Sequence, residues 1–335
     1  MERSPTIDLP LHGGHAPLWL IKLMKELSRE ICLIIINEYG TENFLARLSD
    51  PLWFQSLGCV LGYDWHSSGV TTVVTGVLKT VINEEDFGLI VAGGKGKKSR
   101  KTPKEIAEMS KKIGIEDPQE FIKVSRFVAK IDNNLIQSGH VLYHHAIFID
   151  EKKNWAIVQQ GMNDVEGKAR RYHWFSKELK NYLNEPHTGI IGDPVSVKVL
   201  NMVASESEQC RKTCVDIVNE HPVKIKRMLK EAISGPLDSW IYGEKNIGYE
   251  MPLYVDWRVI EELYELKPRS YQEIVEFQGV GAKTIRALAL VSEIVFGTPA
   301  AWRDPAKFSF AHGGKDGVPY PVDKNTYRNT IAIYR

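Results

Sequence analysis

The 335-residue chain has no apolar run of the length a bilayer requires. Its longest candidate, ICLIIINEYG, is cut short at Asn37-Glu38. The opening residues, MERSPTIDLPLHGGHAP, have no apolar core behind their charges and do not read as a signal peptide. Cysteine is scarce: Cys32, Cys59, Cys210 and Cys214 are the only four, a usage that fits a reducing cytosol rather than a disulfide scaffold. Cys210 and Cys214 stand one helical turn apart with no His or Cys beside them, which favours two half-buried thiols over a metal pair. Net charge is almost absent too. At +1 it gives no argument for a nucleic-acid partner, so any basic footprint must be local. No internal repeat or low-complexity tract is present. What remains, 43% apolar and 25% charged, is an ordinary globular composition with room for two or three domains.

The pattern along the chain predicts an α+β protein, mainly α, in three segments: 1–88, 89–195 and 196–335. In the first, PLWLIKLMKELSREICLIIINEYG has apolar residues at helical spacing and ends at Gly40, a plausible C-cap. Ser49-Asp50-Pro51 should kink or restart the helix that follows. The β-branched run GVTTVVTGVLKTVI is compatible with helix or strand. The second segment opens with LIVAGGKGKKSRKTPK, which has three glycines, six basic residues and no acid. It reads as a short strand running into a flexible cationic loop, with Thr102-Pro103 and Glu105 opening a helix. Lys95, Lys97, Lys98, Arg100 and Lys101 suit either a mobile arm on a phosphate backbone or a merely solvated loop. The Gly-Lys-Ser/Thr order of a nucleotide-binding P-loop is missing. VLYHHAIFID and WAIVQQGM, joined by a turn at 151–154, form a β-hairpin. Arg170, Arg171, Tyr172, His173 and Trp174 mix cations with aromatics, as stacking on unpaired bases requires; Trp174 and Phe175 suit a core equally. From about Pro194 to Tyr264 the pattern is helical.

The densest signal is EFQGVGAKTIRALALV. Ser270, with Glu273 three residues on, forms a capping box for a helix. Gln278-Gly279-Val280-Gly281 is too tight for further side chains. A second helix runs from Ala282 to Phe296 and stops at Gly297. Helix, Gly-Val-Gly hairpin, helix is the helix-hairpin-helix arrangement. Gly279, Val280, Gly281, Ala282 and Thr284 would let a phosphate approach the backbone amides at the second helix's N-terminus.

GVGAKT resembles the hairpin of the endonuclease III and 8-oxoguanine glycosylase superfamily, in which G-V-G-x-K-[TV] marks the lyase members. PYPVDKNTYRNTIAI resembles the superfamily's proline-rich loop with its aspartate. The resemblance covers residues 270–335 and implies a helical glycosylase-like domain with the helix-hairpin-helix; the smaller β-containing domain with its antiparallel hairpin is read from the pattern of 89–195. It assigns Lys283 as the amine nucleophile and Asp323 as the assisting carboxylate. The amine would attack C1′, form a Schiff base and allow β-elimination. The partner implied is double-stranded DNA with a damaged base or an abasic site, its target nucleotide flipped out of the stack. A backbone-phosphate contact accounts for Lys283 alone, and a helix N-cap accounts for Asp323 alone. Asp323 lies 40 residues beyond Lys283, a longer connection than the superfamily's, and Asp304 in WRDP is a rival acid. No cofactor is evident; the superfamily's iron–sulfur cysteines would follow Asp323, beyond Arg335. The stretch PLWFQSLGCVLGYDWHSSGVTTVVTGVLKTVI resembles the superfamily's early helix, loop and helix, with Tyr63, Trp65 and His66 as a wedge, though an aromatic turn in a core fits as well. The chain as a whole resembles a family of archaea and thermophiles of unknown function.

Two other functions fit the residues. Asp150, with Glu151 and Lys153 beside it, offers the carboxylate and lysine of a Mg²⁺-dependent nuclease. His144 and His145 point to opposite faces of their strand and cannot share a metal. A non-catalytic DNA-binding protein is the other.

Overall fold

The computed structural model describes residues 17–63, 68–192, 198–234 and 256–306. It is an α+β structure, mainly α. Helix α1 (Leu18–Ser49) buries Met24, Ser28 and Cys32, then Phe44, Leu45 and Leu48. It loses helical geometry only at Gly40, whose φ of 81° marks a kink at the expected C-cap. Asp50 then restarts the chain as α2 (Pro51–Val60), its carboxylate accepting from the Leu52 and Trp53 amides at 2.7 and 3.2 Å. The β-branched run is helical, as α3 (Gly69–Glu84). Val70, Val74, Val77, Leu78 and Val81 form one buried stripe, so packing overrides local propensity.

Next come β1 (Leu89–Lys95), α4 (Thr102–Met109), α5 (Gln119–Lys130) and β2 (Ile136–Gln137). The expected hairpin is β3 (Val141–Asp150) and β4 (Trp155–Asn163), followed by β5 (Lys168–Phe175) and β6 (Gly189–Ile191). Strands β1-β3-β4-β5-β6, in that order, make an antiparallel five-stranded sheet. After β7 (Leu200–Asn201) come α6 (Glu208–Asn219), α7 (Pro222–Ser234), α8 (Trp257–Leu266), α9 (Tyr271–Glu276), α10 (Ala282–Phe296) and β8 (Ala301–Trp302). Strands β2, β7 and β8 form a smaller sheet. The segment expected to be helical from Pro194 thus contains a short strand, and its first α-helix starts only at Glu208.

Side chains alternate across the large sheet. Leu89, Val91, Ala146, Phe148, Ala156, Val158 and Phe175 face α1–α3 in one core. Ile90, Ala92, Ile147, Ile149, Ile157, Tyr172 and Trp174 face α4, α5 and the C-terminal helices in the other. Strand β1 begins at Leu89, and the core over α1–α3 is shared: residues of 1–88 supply most of it and the sheet completes it. At Gly93 (φ 106°) β1 passes so close to β3 that a Cβ would lie 2.1 Å from the His145 carbonyl oxygen. No helix among the described residues is long and apolar enough to cross a membrane.

Candidate nucleic-acid interface

The helix-hairpin-helix is formed. Ser270 Oγ accepts from the Glu273 amide at 3.3 Å, and the Glu273 carboxylate reaches back to the Arg269 amide at 2.9 Å. Phe277 closes α9 and Val280, 4% exposed, plugs the turn. Gly279 has φ 93°, and a Cβ there would come within 2.8 Å of Val259 Cγ2 on α8. Gly281 is extended and faces open space, with nothing within 4 Å of a Cβ built there. No side chain caps α10, so the orphan N–H groups of its first turn are available to an anion. Ala282 is half-buried and Thr284 buried, whereas Lys283 is exposed. Among the described residues Lys283 has no hydrogen bond or ion pair. Asp323 and the whole PYPVD loop lie outside the described residues, as do Trp65 and His66. Tyr63 is half-buried and packs against the N-terminal core.

What holds the hairpin in place was not predicted from the sequence. The Lys130 ammonium, at the end of α5, donates to the carbonyls of Val275, Glu276 and Phe277 at 2.9, 2.8 and 2.8 Å. It supplies a donor to carbonyls at the C-terminal end of α9, where the intrahelical amides run out. Burial lowers the Lys130 pKa, against the opposing pull of Glu276. On the other side Gln137 donates to the Ala282 carbonyl at 2.8 Å and accepts from Arg286 Nε at 2.8 Å. The partners lie some 145 residues away along the chain, beyond any local pattern.

The basic segment, expected as a flexible loop, has regular structure. Gly96–Lys101 is a 3-10 turn, tied by Ser99 Oγ to the Gly96 carbonyl (2.7 Å) and by Thr102 Oγ1 to the Ser99 carbonyl (2.6 Å). Lys95, Lys97, Lys98, Arg100 and Lys101 are all exposed on it. Lys95 sits 5.8 Å above the Tyr143 ring, and none of the five forms an ion pair among the described residues. A cleft of about 590 Å³, lined in part by Lys79, Lys95 and Lys98, flanks the turn on the α3 side. A second cleft of about 310 Å³, lined in part by Arg100 and Arg126, flanks it on the α5 side. Helix α5 therefore touches both footprints. Arg126 lines the cleft and Lys130 fastens the hairpin, about 6 Å apart along the helix axis at 1.5 Å per residue.

Three expectations are corrected. Tyr172 and Trp174 are fully buried and offer no surface to a base. Strand β5 is covered on both faces, and Trp174 Nε1 donates to Asp132 Oδ2 at 3.0 Å. Its cations are buried as well: Arg170 reaches Asp304 at 2.6 Å, which engages the rival acid, and Arg171 lies over the Phe54 ring and donates to Gln55 Oε1 at 2.8 Å. Burial pushes the Arg171 pKa down to about 9. Asp150 is also fully buried. Its oxygens accept from Thr41 Oγ1 (3.1 Å), the Asn154 amide (2.7 Å) and Asn154 Nδ2 (2.9 Å). It shapes the β3–β4 turn, and no cluster of three metal-ligating side chains exists among the described residues. His144 and His145 do diverge. His144 Nε2 meets Thr75 Oγ1 of α3 at 2.9 Å, and His145 turns toward α5.

No curated protein and no solved structure matches the chain. A family model described as "Protein of unknown function (DUF763)" matches residues 5–322.

Proposed function

We propose, for a chain that belongs to the DUF763 family of proteins of unknown function, that it acts on DNA as a base-excision glycosylase and abasic-site lyase. In this reading the hairpin grips the backbone of a duplex carrying a damaged base or an abasic site. The carrying observation is the geometry at the start of α10: an uncapped helix N-terminus, an open Gly281, and an exposed Lys283 with no partner among the described residues. Orphan amides and the helix dipole suit a phosphate oxygen. The exposed cations of the 3-10 turn add sequence-independent attraction to the same polyanion.

Lys283 is the nucleophile of this proposal. The amine attacks C1′ of the flipped nucleotide, the base leaves, and the resulting Schiff base permits β-elimination 3′ to the lesion. Asp323 stabilises the developing positive charge on the sugar or takes the proton of the amine.

The test is a 5′-labelled duplex with an abasic site or uracil, incubated in EDTA with and without borohydride. The expected result is a borohydride-trapped covalent adduct, lost in Lys283→Gln and reduced at least tenfold in Asp323→Asn. Cleavage that requires Mg²⁺ and survives Lys283→Gln would overturn the lyase in favour of a nuclease. Retarded duplex with neither adduct nor cut would leave a non-catalytic DNA-binding protein.

A further inference from the structure

Beneath the 3-10 turn runs a line of buried side chains that the hairpin chemistry does not use. Ser125 Oγ, on α5, lies 2.8 Å from His145 Nε2, and His145 Nδ1 lies 2.7 Å from Gln159 Oε1. Gln159 Nε2 in turn reaches Asp132 Oδ2 at 2.5 Å. Asp132 also meets Trp174 Nε1 at 3.0 Å and His187 Nε2 at 2.6 Å. All four members of the line are at least nine-tenths buried.

The direction of every proton follows from one end. A carboxylate accepts only, so the amide nitrogen of Gln159 must face Asp132 and its oxygen must face His145. His145 therefore carries its proton on Nδ1, and the Nε2 lone pair is left to accept from the Ser125 hydroxyl. Burial keeps the imidazole neutral by lowering its pKa, although Gln159 and Asp132 pull the other way. A buried helical serine ordinarily donates to the carbonyl four residues back, as Ser110 does to Ile106 at 2.6 Å. Ser125 is instead turned to an imidazole. Nucleophile, base and a held orienting group are thus in sequence, each within hydrogen-bond reach.

A core histidine needs only two partners, and this line would be no more than that if it were sealed. It is not sealed. Ser125 and His145 line the cleft of about 310 Å³, together with Arg100 and Arg126. Both arginines are exposed, and no carboxylate is among the residues lining the cleft. Two arginines on the wall of the cleft that Ser125 also lines suit the oxygens of a phosphoryl group and can stabilise charge that grows on them.

We propose that Ser125 is the nucleophile of a second catalytic site that hydrolyses phosphodiesters, with His145 as its base and Gln159 and Asp132 as positioning residues. Ser125 Oγ forms a bond to phosphorus while its proton passes to His145 Nε2. The bond from phosphorus to the leaving oxygen breaks, and that oxygen takes the proton from Nε2. Water then attacks phosphorus, its proton passing to Nε2; the bond from phosphorus to Ser125 Oγ breaks, and Oγ takes the proton back from Nε2. An uncharged acyl ester would leave both arginines without a role. The site stands independently of the reading given to Lys283.

The experiment treats the full chain, in EDTA, with a fluorophosphonate and then with bis(4-nitrophenyl) phosphate. One adduct is expected, mapped by peptide mass spectrometry to Ser125, absent from S125A and unchanged in K283Q. Diester hydrolysis should fall at least a hundredfold in S125A and H145A. R126A should lower kcat as well as raise KM, whereas Q159L should lower kcat with KM unchanged. If S125A does not fold, S125C serves in its place: position 125 should then be alkylated by iodoacetamide faster than Cys59. No adduct on the wild-type chain, or one that persists in S125A, would overturn the nucleophile. Hydrolysis of 4-nitrophenyl acetate without hydrolysis of the diester would overturn the phosphodiester assignment.

Discussion

The two glycines of the hairpin answer to different constraints, although the motif treats them alike. Gly279 combines a left-handed φ of 93° with contact on Val259, where a Cβ would sit 2.8 Å from Cγ2. Gly279→Ala must hold the left-handed conformation and displace a buried valine, a cost of about 1–2 kcal/mol. Gly281 is extended, a conformation any residue adopts, and its Cβ position is open. Gly281→Ala should therefore leave the melting temperature unchanged. Its methyl group would stand where a backbone must approach, and duplex binding should weaken about tenfold, or roughly 1.4 kcal/mol. Thermal scans beside gel retardation at low salt separate the two variants. Equal losses of melting temperature in both would show that Gly281 serves the fold and not a ligand. Tyr172, Trp174 and Asp150 carry a related lesson. Residue type marks what a side chain can do, while burial decides whether a partner can reach it.

Among the elements, α5 has the widest reach. Its apolar stripe of Phe121, Val124, Phe127 and Val128 packs into the C-terminal core, Ser125 turns to the sheet, and Lys130 closes the C-terminus of α9. Lys130→Met keeps the stem and removes the donor shared by the Val275, Glu276 and Phe277 carbonyls, of which Phe277 keeps the Val280 amide. The expected cost is about 1–3 kcal/mol. The loss should be local: amide exchange should speed up across 277–284 and DNA retention should drop, while protection of the β3–β4 hairpin stays as it was. Uniform loss of protection would show that Lys130 acts on the whole core rather than on the hairpin. The features readable in the sequence were those whose partners are close in the chain. The Ser270 capping box, the Asp50 restart, the β3–β4 hairpin and the stop at Gly297 are of that kind. The Lys130 clamp was not readable because its acceptors are 145 to 147 residues away. Strand β5 misled for another reason. Its polar residues suggested a wet surface, but Arg170, Arg171 and His173 are buried with partners such as Asp304, Gln55 and the Leu48 carbonyl. The relay from Ser125 to Asp132 draws on α5, β3, β4 and the turn after α5, so no spacing in the sequence announces it.

Across the fold, one sheet carries two cores, and the three segments suggested by pattern are joined through it. Ile147 and Phe148 are neighbours in β3, both fully buried, and belong to opposite cores. Were residues 1–88 a unit with its own core, Phe148→Ala would disturb that unit alone. Because each face of the sheet completes the core above it, stripping either face exposes backbone and side chains that the other depends on. Phe148→Ala should cost about 3–5 kcal/mol and Ile147→Ala about 2–5 kcal/mol. Both should lower one and the same unfolding transition in calorimetry. The same reasoning predicts that a chain beginning at residue 89 aggregates, since Leu89, Val91, Ala146, Phe148, Ala156, Val158 and Phe175 would form an open apolar face. Two transitions in the wild-type scan, with Phe148→Ala moving only one and Ile147→Ala only the other, would show instead that the cores fold apart. The hairpin and the Ser125 cleft would then sit on a body whose stability is independent of α1–α3. With a single transition, losses anywhere in the N-terminal helices should lower the population that can hold either site.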